Sequence, residues 1–198
     1  MSKSIAFFDF DGTITFKDTL LEIIKYQRGS AGLYAGMLQL SPWMVAMKLK
    51  LISNQTAKEK LLAHFFKNTP VDVFQKNCDD FAQAMFPSLI RPKALEQIQA
   101  FKAAGTRVVI VSASPQNWLS FWCNINGLDC IGTILQKKNN LITGNIEGLN
   151  CYGEEKVRRI KAQYNLADYT QISCYGDTNG DKPMLALGTE AYYKPFRD

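Results

Sequence analysis

Asp9 and Asp11 end the apolar run "SIAFFDFDGTIT" (4–15), one residue apart, with Gly12 and Thr13 directly behind them. Ser112 and Ala113 follow "RVVIV", Lys156 lies early in a helical pattern, and "GDTNGD" (176–181) supplies Asp177, Asn179 and Asp181. Carboxylates gathered this densely repel, and their pKa values rise until some are neutral. A hard divalent cation removes that cost. Mg²⁺ is the natural choice, because it takes oxygen ligands, keeps waters and binds phosphate oxygens. Period two along a strand turns Asp9 and Asp11 to one side. One is then ligand and nucleophile, the other a proton carrier. A hydroxyl at Ser112, neighbouring backbone N–H groups and the charge of Lys156 suit phosphoryl oxygens. Together these residues describe phosphoryl transfer by positioning and charge neutralisation.

Such residues must be carried by strand ends. "SIAFFDF" (4–10), "RVVIVSA" (107–113) and "QISCYGD" (171–177) read as buried strands, with weaker ones at 130–135 and 190–194. Helical patterns at 92–105 and 153–166 alternate with them. Leu95, Ile98 and Phe101 form one stripe of the first, which stops at Gly105. The alternation predicts an α/β fold with a Rossmann-like parallel sheet, whose strand ends form the ligand edge. Residues 16–90 break the alternation and read as an inserted all-helical cap; 1–15 and 91–198 form the core. Thr19 and Glu22 read as a capping box, and Ser114 as the N-cap of a helix with Pro115 at its first position. "KKNNLITGNIEG" (137–148) reads as a hairpin turning at Asn139-Asn140.

Composition narrows the class. The 198 residues carry a net charge of +5, mild enough to suit an anionic ligand. No basic block interleaved with aromatics is present, so nucleic acid is not an expected partner. The five cysteines are scattered without a C-x-x-C pair, which fits a reduced, cytoplasmic chain, and no secretory leader is legible. The single histidine, His64, rules out a His nucleophile paired with a His base, and is expected to be packed or superficial. "GLYAGMLQLSPWMVAMKLKLI" (32–52) is apolar but interrupted by Ser41-Pro42, Lys48 and Lys50, a poor membrane span. It is expected to form cap core. Trp43 and the lysines also suit an interfacial helix touching a membrane surface or a lipid phosphate.

"DFDGTIT", "VSAS", a lysine and "GDTNGD", in that order, resemble the haloacid dehalogenase superfamily of phosphohydrolases. The helical insertion between the first two motifs resembles the branch, subfamily IB, that holds phosphoserine phosphatase and phosphatidylglycerophosphatase C. The resemblance implies a Mg²⁺-dependent phosphatase. Asp9 would form an aspartyl-phosphate, and Asp11 would protonate the leaving group and then deprotonate water. Mg²⁺ would be held by Asp9, Asp177 and the backbone carbonyl of Asp11, supported by Asp181. Thr13, Ser112, Ala113, Lys156 and Asn179 would contact the phosphoryl group. Asp18 falls where phosphoserine phosphatase has a substrate-contacting glutamate; a helix-start aspartate is the other reading. The lysine and asparagine are displaced from that enzyme's pattern, Tyr152 and Gly180 standing at its positions, and the arginine for a serine carboxylate is not evident. The expected substrate is a small phosphorylated molecule or a phospholipid head group. A non-enzymatic phospho-acceptor resembling a response-regulator receiver is the alternative. Against it stand the first-strand nucleophile and the long insertion after it.

Overall fold

The computed structural model describes residues 3–197. Five parallel strands form one sheet in the order β3-β2-β1-β6-β7: β1 (Ser4–Phe8), β2 (Arg107–Pro115), β3 (Asp129–Thr133), β6 (Gln171–Gly176) and β7 (Glu190–Tyr193). β1 lies at the centre and pairs with β2 and β6, Phe8 opposite Ile110 and Tyr175. Its residues are apolar without alternation because both faces are covered. Ile5 and Phe7 pack with Val109, Val111, Ile172 and Cys174 on one face. Ala6 and Phe8 join Val108, Ile110 and Tyr175 on the other.

Helices α6 (Glu154–Gln163) and α7 (Lys182–Leu185) cover the first face through Ile160, Met184 and Leu185. Helices α4 (Pro92–Ala103) and α5 (Gln116–Asn126) cover the second through Ile98, Trp118 and Trp122. α6 is shorter than its 153–166 pattern, because a separate 3₁₀ turn forms at Leu166–Asp168.

The chain between β1 and α4 is helical: α1 (Thr19–Lys48), α2 (Asn54–Phe66) and α3 (Val71–Leu89). Its entry and exit are stitched together. Phe16 N–H donates to Leu89 O at 2.9 Å and Arg91 N–H to Ile14 O at 2.8 Å, closing a bridge between Thr15 and Ile90. The second-face core continues into these helices through Leu62, Phe74, Phe81 and Phe86. Phe10 sits between them and the sheet, its ring 5.3 Å from Phe86 and 5.5 Å from Trp122. Emptying such a site costs about 3–5 kcal/mol.

α1 bends at Gly29, which has φ of +70° and ψ of 171°, and not at Ser41-Pro42, through which the helix continues. The carbonyl left without a donor at Pro42 is that of the residue four before it, Leu38, a largely exposed residue. No helix among the described residues is long and apolar enough to cross a membrane. The Thr19 capping box does not form either. Asp18 is the N-cap, its Oδ1 accepting from Leu20 N–H and Leu21 N–H at 2.9 and 3.3 Å. The hairpin β4 (Leu135–Lys138) and β5 (Leu141–Ile146) turns at Asn139-Asn140, both left-handed with φ of 51° and 59°. It packs on α2, where a Cβ at Gly144 would lie 2.3 Å from Ala63 Cα. His64, beside it on α2, is exposed.

Candidate active site

Asp9 leaves the strand with its N–H still donating to Tyr175 O at 2.9 Å, so the sheet fixes the aspartate's position. The turn behind it needs glycine. Gly12 has φ of +81°, and a Cβ there would stand 2.6 Å from Asp177 Oδ2. This close approach brings the first and last acidic motifs together. Thr13, fully buried, donates to Asp9 Oδ2 (3.1 Å), with Asp177 Oδ1 also within reach at 3.3 Å.

Lys156 occupies the first turn of α6, only 1% exposed, and is not a solvated helix charge. Its ammonium donates to Asp9 Oδ1 and Asp181 Oδ1, both at 2.6 Å, and to Val111 O at 2.8 Å, using all three protons. Burial alone would depress the lysine, but Asp9 and Asp181 outweigh it and hold the ammonium protonated. Burial pushes the Asp9 carboxyl up to about 7 against the pull of Lys156. Burial also acts upward on Asp181, yet Lys156 and the Thr178 donors carry it below the usual carboxylate range. Asp177 is raised by burial and by Asp181, against the pull of Arg197, whose guanidinium lies 2.7 Å from Asp177 Oδ2. Phe196, stacked 5.5 Å from Tyr175, anchors that C-terminal segment.

Asp11 has a separate set of partners. Its Oδ1 accepts from Thr19 N–H and the Thr19 hydroxyl, both at 2.6 Å; its Oδ2 accepts from Ser114 Oγ at 2.6 Å and Ser112 Oγ at 3.3 Å. Ser114 is therefore not the cap of α5, which has no side-chain cap. Ser112 Oγ in turn accepts Ser114 N–H at 2.9 Å. Trp118 Nε1 donates to Thr19 Oγ1 at 3.0 Å and fixes that hydroxyl from behind.

Asp9 and Asp11 line one cavity of about 410 Å³, together with Asp18, Ala113, Ser114, Lys156 and Asp181. Ser112 lies just behind that wall, and Asn179 is exposed and outside it; Thr178 lines the cavity instead. The opposite wall is apolar and comes from α1 and α2: Leu20, Met37, Met44, Met47 and Leu61. Asp18 both caps α1 and faces this cavity. Loss of bulk water and the nearby Asp11 push its carboxyl up to about 6. Lys58 of α2 was not singled out from sequence. It donates to Ala113 O at 2.5 Å and Asn150 Oδ1 at 3.2 Å, and burial lowers it to about 8.

Asp9, Asp177 and Asp181 offer carboxylate oxygens within 4.8 Å of one another. An all-oxygen, acidic donor set of this kind fits a hard divalent cation such as Mg²⁺. The carboxylate of Asp11 is not part of this triplet; it is engaged by Thr19 and Ser114.

Known proteins share both this sequence and this architecture. Protein CicA of Caulobacter vibrioides is 35% identical over 194 residues, covering 96% of this chain and 85% of that protein. A Bordetella pertussis Tohama I protein of unknown function superposes with a TM-score of 0.78 at 20% identity, over 96% of this chain and 88% of that one. A phosphoserine phosphohydrolase-like protein from Francisella tularensis superposes with a TM-score of 0.68 at 15% identity, over 96% and 85%. The sequence profile described as haloacid dehalogenase-like hydrolase matches residues 6–186, a span holding every acidic motif of the cavity, and the chain belongs to that family.

Proposed function

We propose that the chain is a Mg²⁺-dependent phosphatase that hydrolyses a phosphomonoester through an aspartyl-phosphate on Asp9. The observation that carries this reading is the division of labour between two carboxylates on one cavity. Asp9 is buried against an ammonium and lies in the acidic triplet. Asp11 lines the same cavity two residues on, held by Thr19 and Ser114 and outside that triplet.

In this reading Asp9 forms a bond to phosphorus as the ester P–O bond breaks, and Asp11 gives its proton to the departing alkoxide. Asp11 then takes a proton from the water that attacks phosphorus, releasing phosphate and restoring Asp9. Asp9, Asp177 and Asp181 would hold Mg²⁺, which would supply positive charge at the phosphoryl group. Lys156 fixes the free oxygen of Asp9 and adds a permanent charge beside it. Thr13 orients the other Asp9 oxygen, and Ala113 on the cavity wall would meet the phosphoryl group. The acid-base role of Asp11 separates this reading from that of a phospho-acceptor without turnover.

The insertion of α1–α3 acts as the cap, and its side of the cavity selects the substrate. The Francisella relative's description as phosphoserine phosphohydrolase-like supports a small phosphomonoester. The Met-lined wall suits an apolar or lipid-borne one. Five free cysteines suit a reducing compartment, and we place the enzyme in the cytoplasm. Hydrolysis of an aryl phosphate, with Mg²⁺ and with chelator, tests the reading. Turnover that needs the metal and disappears in Asp9→Asn supports it; turnover that survives both refutes it.

A further inference from the structure

The second half of α1 turns two apolar faces in opposite directions. Met37, Met44 and Met47 point into the cavity wall. On the other side Leu38 is 75% exposed, and Leu49 and Leu51, at the helix end, are 64% and 74% exposed; Tyr34 and Val45 lie on the same outer side and are also open. Residues 34, 38, 45 and 49 recur at the helical period and form one continuous stripe. Soluble monomers seldom leave a large contiguous apolar face uncovered.

The charges around this stripe identify what covers it. From residue 23 to residue 58 the sequence contains no aspartate or glutamate. Lys48 and Lys50 are exposed beside Leu49 and Leu51. Lys60 of α2 stands over the ring of the half-exposed Trp43, 4.8 Å from its centroid. A second copy of this chain would oppose these lysines with its own, and like charges at a contact repel. An anionic lipid surface meets both features, taking the exposed leucines and Tyr34 into the acyl boundary and Lys48 and Lys50 among its head groups.

We infer that the outer face of α1, from Tyr34 to Leu51, docks on the surface of an anionic lipid bilayer without crossing it. This goes beyond the phosphatase reading and does not depend on it.

The test is flotation of the full chain with phosphatidylcholine vesicles, with and without phosphatidylglycerol. The protein is expected to float with the anionic vesicles only, less so at high salt. The double variant Leu38→Glu, Leu49→Glu changes two solvent-facing residues outside the cavity. It should keep its circular dichroism and aryl phosphate turnover while its vesicle partition falls roughly tenfold or more. Asp9→Asn should float like the parent, so loss of chemistry and loss of docking are read separately. Absence of flotation at low salt overturns the inference. So does equal flotation of the double variant, or a dimer in sedimentation velocity that the double variant abolishes while lipid binding is absent.

Discussion

Thr19 gives both its backbone N–H and its hydroxyl to a single oxygen of Asp11, each at 2.6 Å. The first residue of α1 thus holds a carboxylate that follows the central strand β1. Thr19→Val keeps the shape, removes one of these donors and leaves the buried Trp118 N–H without its acceptor. The loss of that buried partner is expected to lower stability by about 1–3 kcal/mol. Because Asp11 loses its orientation, kcat is expected to fall about 10- to 100-fold with KM little changed, and Thr19→Ser should recover most of it. Steady-state kinetics and urea unfolding check both.

Lys156 is the only cation among the described residues that touches both Asp9 and Asp181. Lys156→Met leaves two buried carboxylates without their counter-charge, which is expected to cost about 3–5 kcal/mol and abolish turnover. The triplet with Asp177 is then more negative. Mg²⁺ should therefore raise Tm more in the variant than in the parent, as calorimetry with and without the metal would record.

Lys58 carries a pH prediction. Its folded pKa is depressed to about 8 by burial, so its positive charge in the cavity is present below that pH and lost above it. KM for an anionic phosphomonoester should rise as pH passes through about 8 in the parent. In Lys58→Met, KM should already be raised about tenfold at neutral pH, with no further rise at that point. Pre-saturation kinetics across pH check this.

A structural ion pair gives the opposite kind of titration. Glu155 accepts from Arg158 Nε and Nη2, both at 2.6 Å, and from Arg159 Nε at 2.7 Å. The Arg158 bonds, working with Arg159 against burial, hold its carboxyl at about 2, below the ordinary 4.5. A depressed acid contributes its stability above the unfolded pKa and loses it as pH falls through the folded one. Arg158 is largely exposed, so solvent screening keeps the contribution under about 1 kcal/mol. Glu155→Gln should be less stable than the parent by that amount at pH 7. The gap should close as pH falls from about 4.5 towards 2, as urea midpoints would show.

What could be read from the sequence follows physical scale. β1, β2 and β6 were legible because strands buried on both faces are apolar without interruption, and Asp9, Asp177 and Asp181 because they stand where those runs stop. The Asn139-Asn140 turn was legible because both residues adopt the left-handed conformation that such turns require. Thr19 and Ser114 were misread for one reason. Each carries a local capping signature, in which its hydroxyl would accept from a helix N–H, but in the structure that hydroxyl donates to the carboxylate of Asp11. Lys58 and the methionine wall were invisible because α2 and α1 reach the cavity only by folding over it. Asn179 illustrates the converse: it lies inside a motif, yet its position on an exposed 3₁₀ turn keeps it off the cavity.

The central claim is that Asp9 carries the phosphoryl group, and trapping that group tests it most directly. Asp11→Asn should accept a phosphoryl group but release it slowly. After rapid acid quench, borohydride reduction of the acyl phosphate converts the modified aspartate to homoserine, which peptide mass spectrometry locates. The account predicts homoserine at position 9, dependent on Mg²⁺ and on substrate. Homoserine at any other aspartate, or phosphate release from Asp9→Asn at the parental rate, would contradict it.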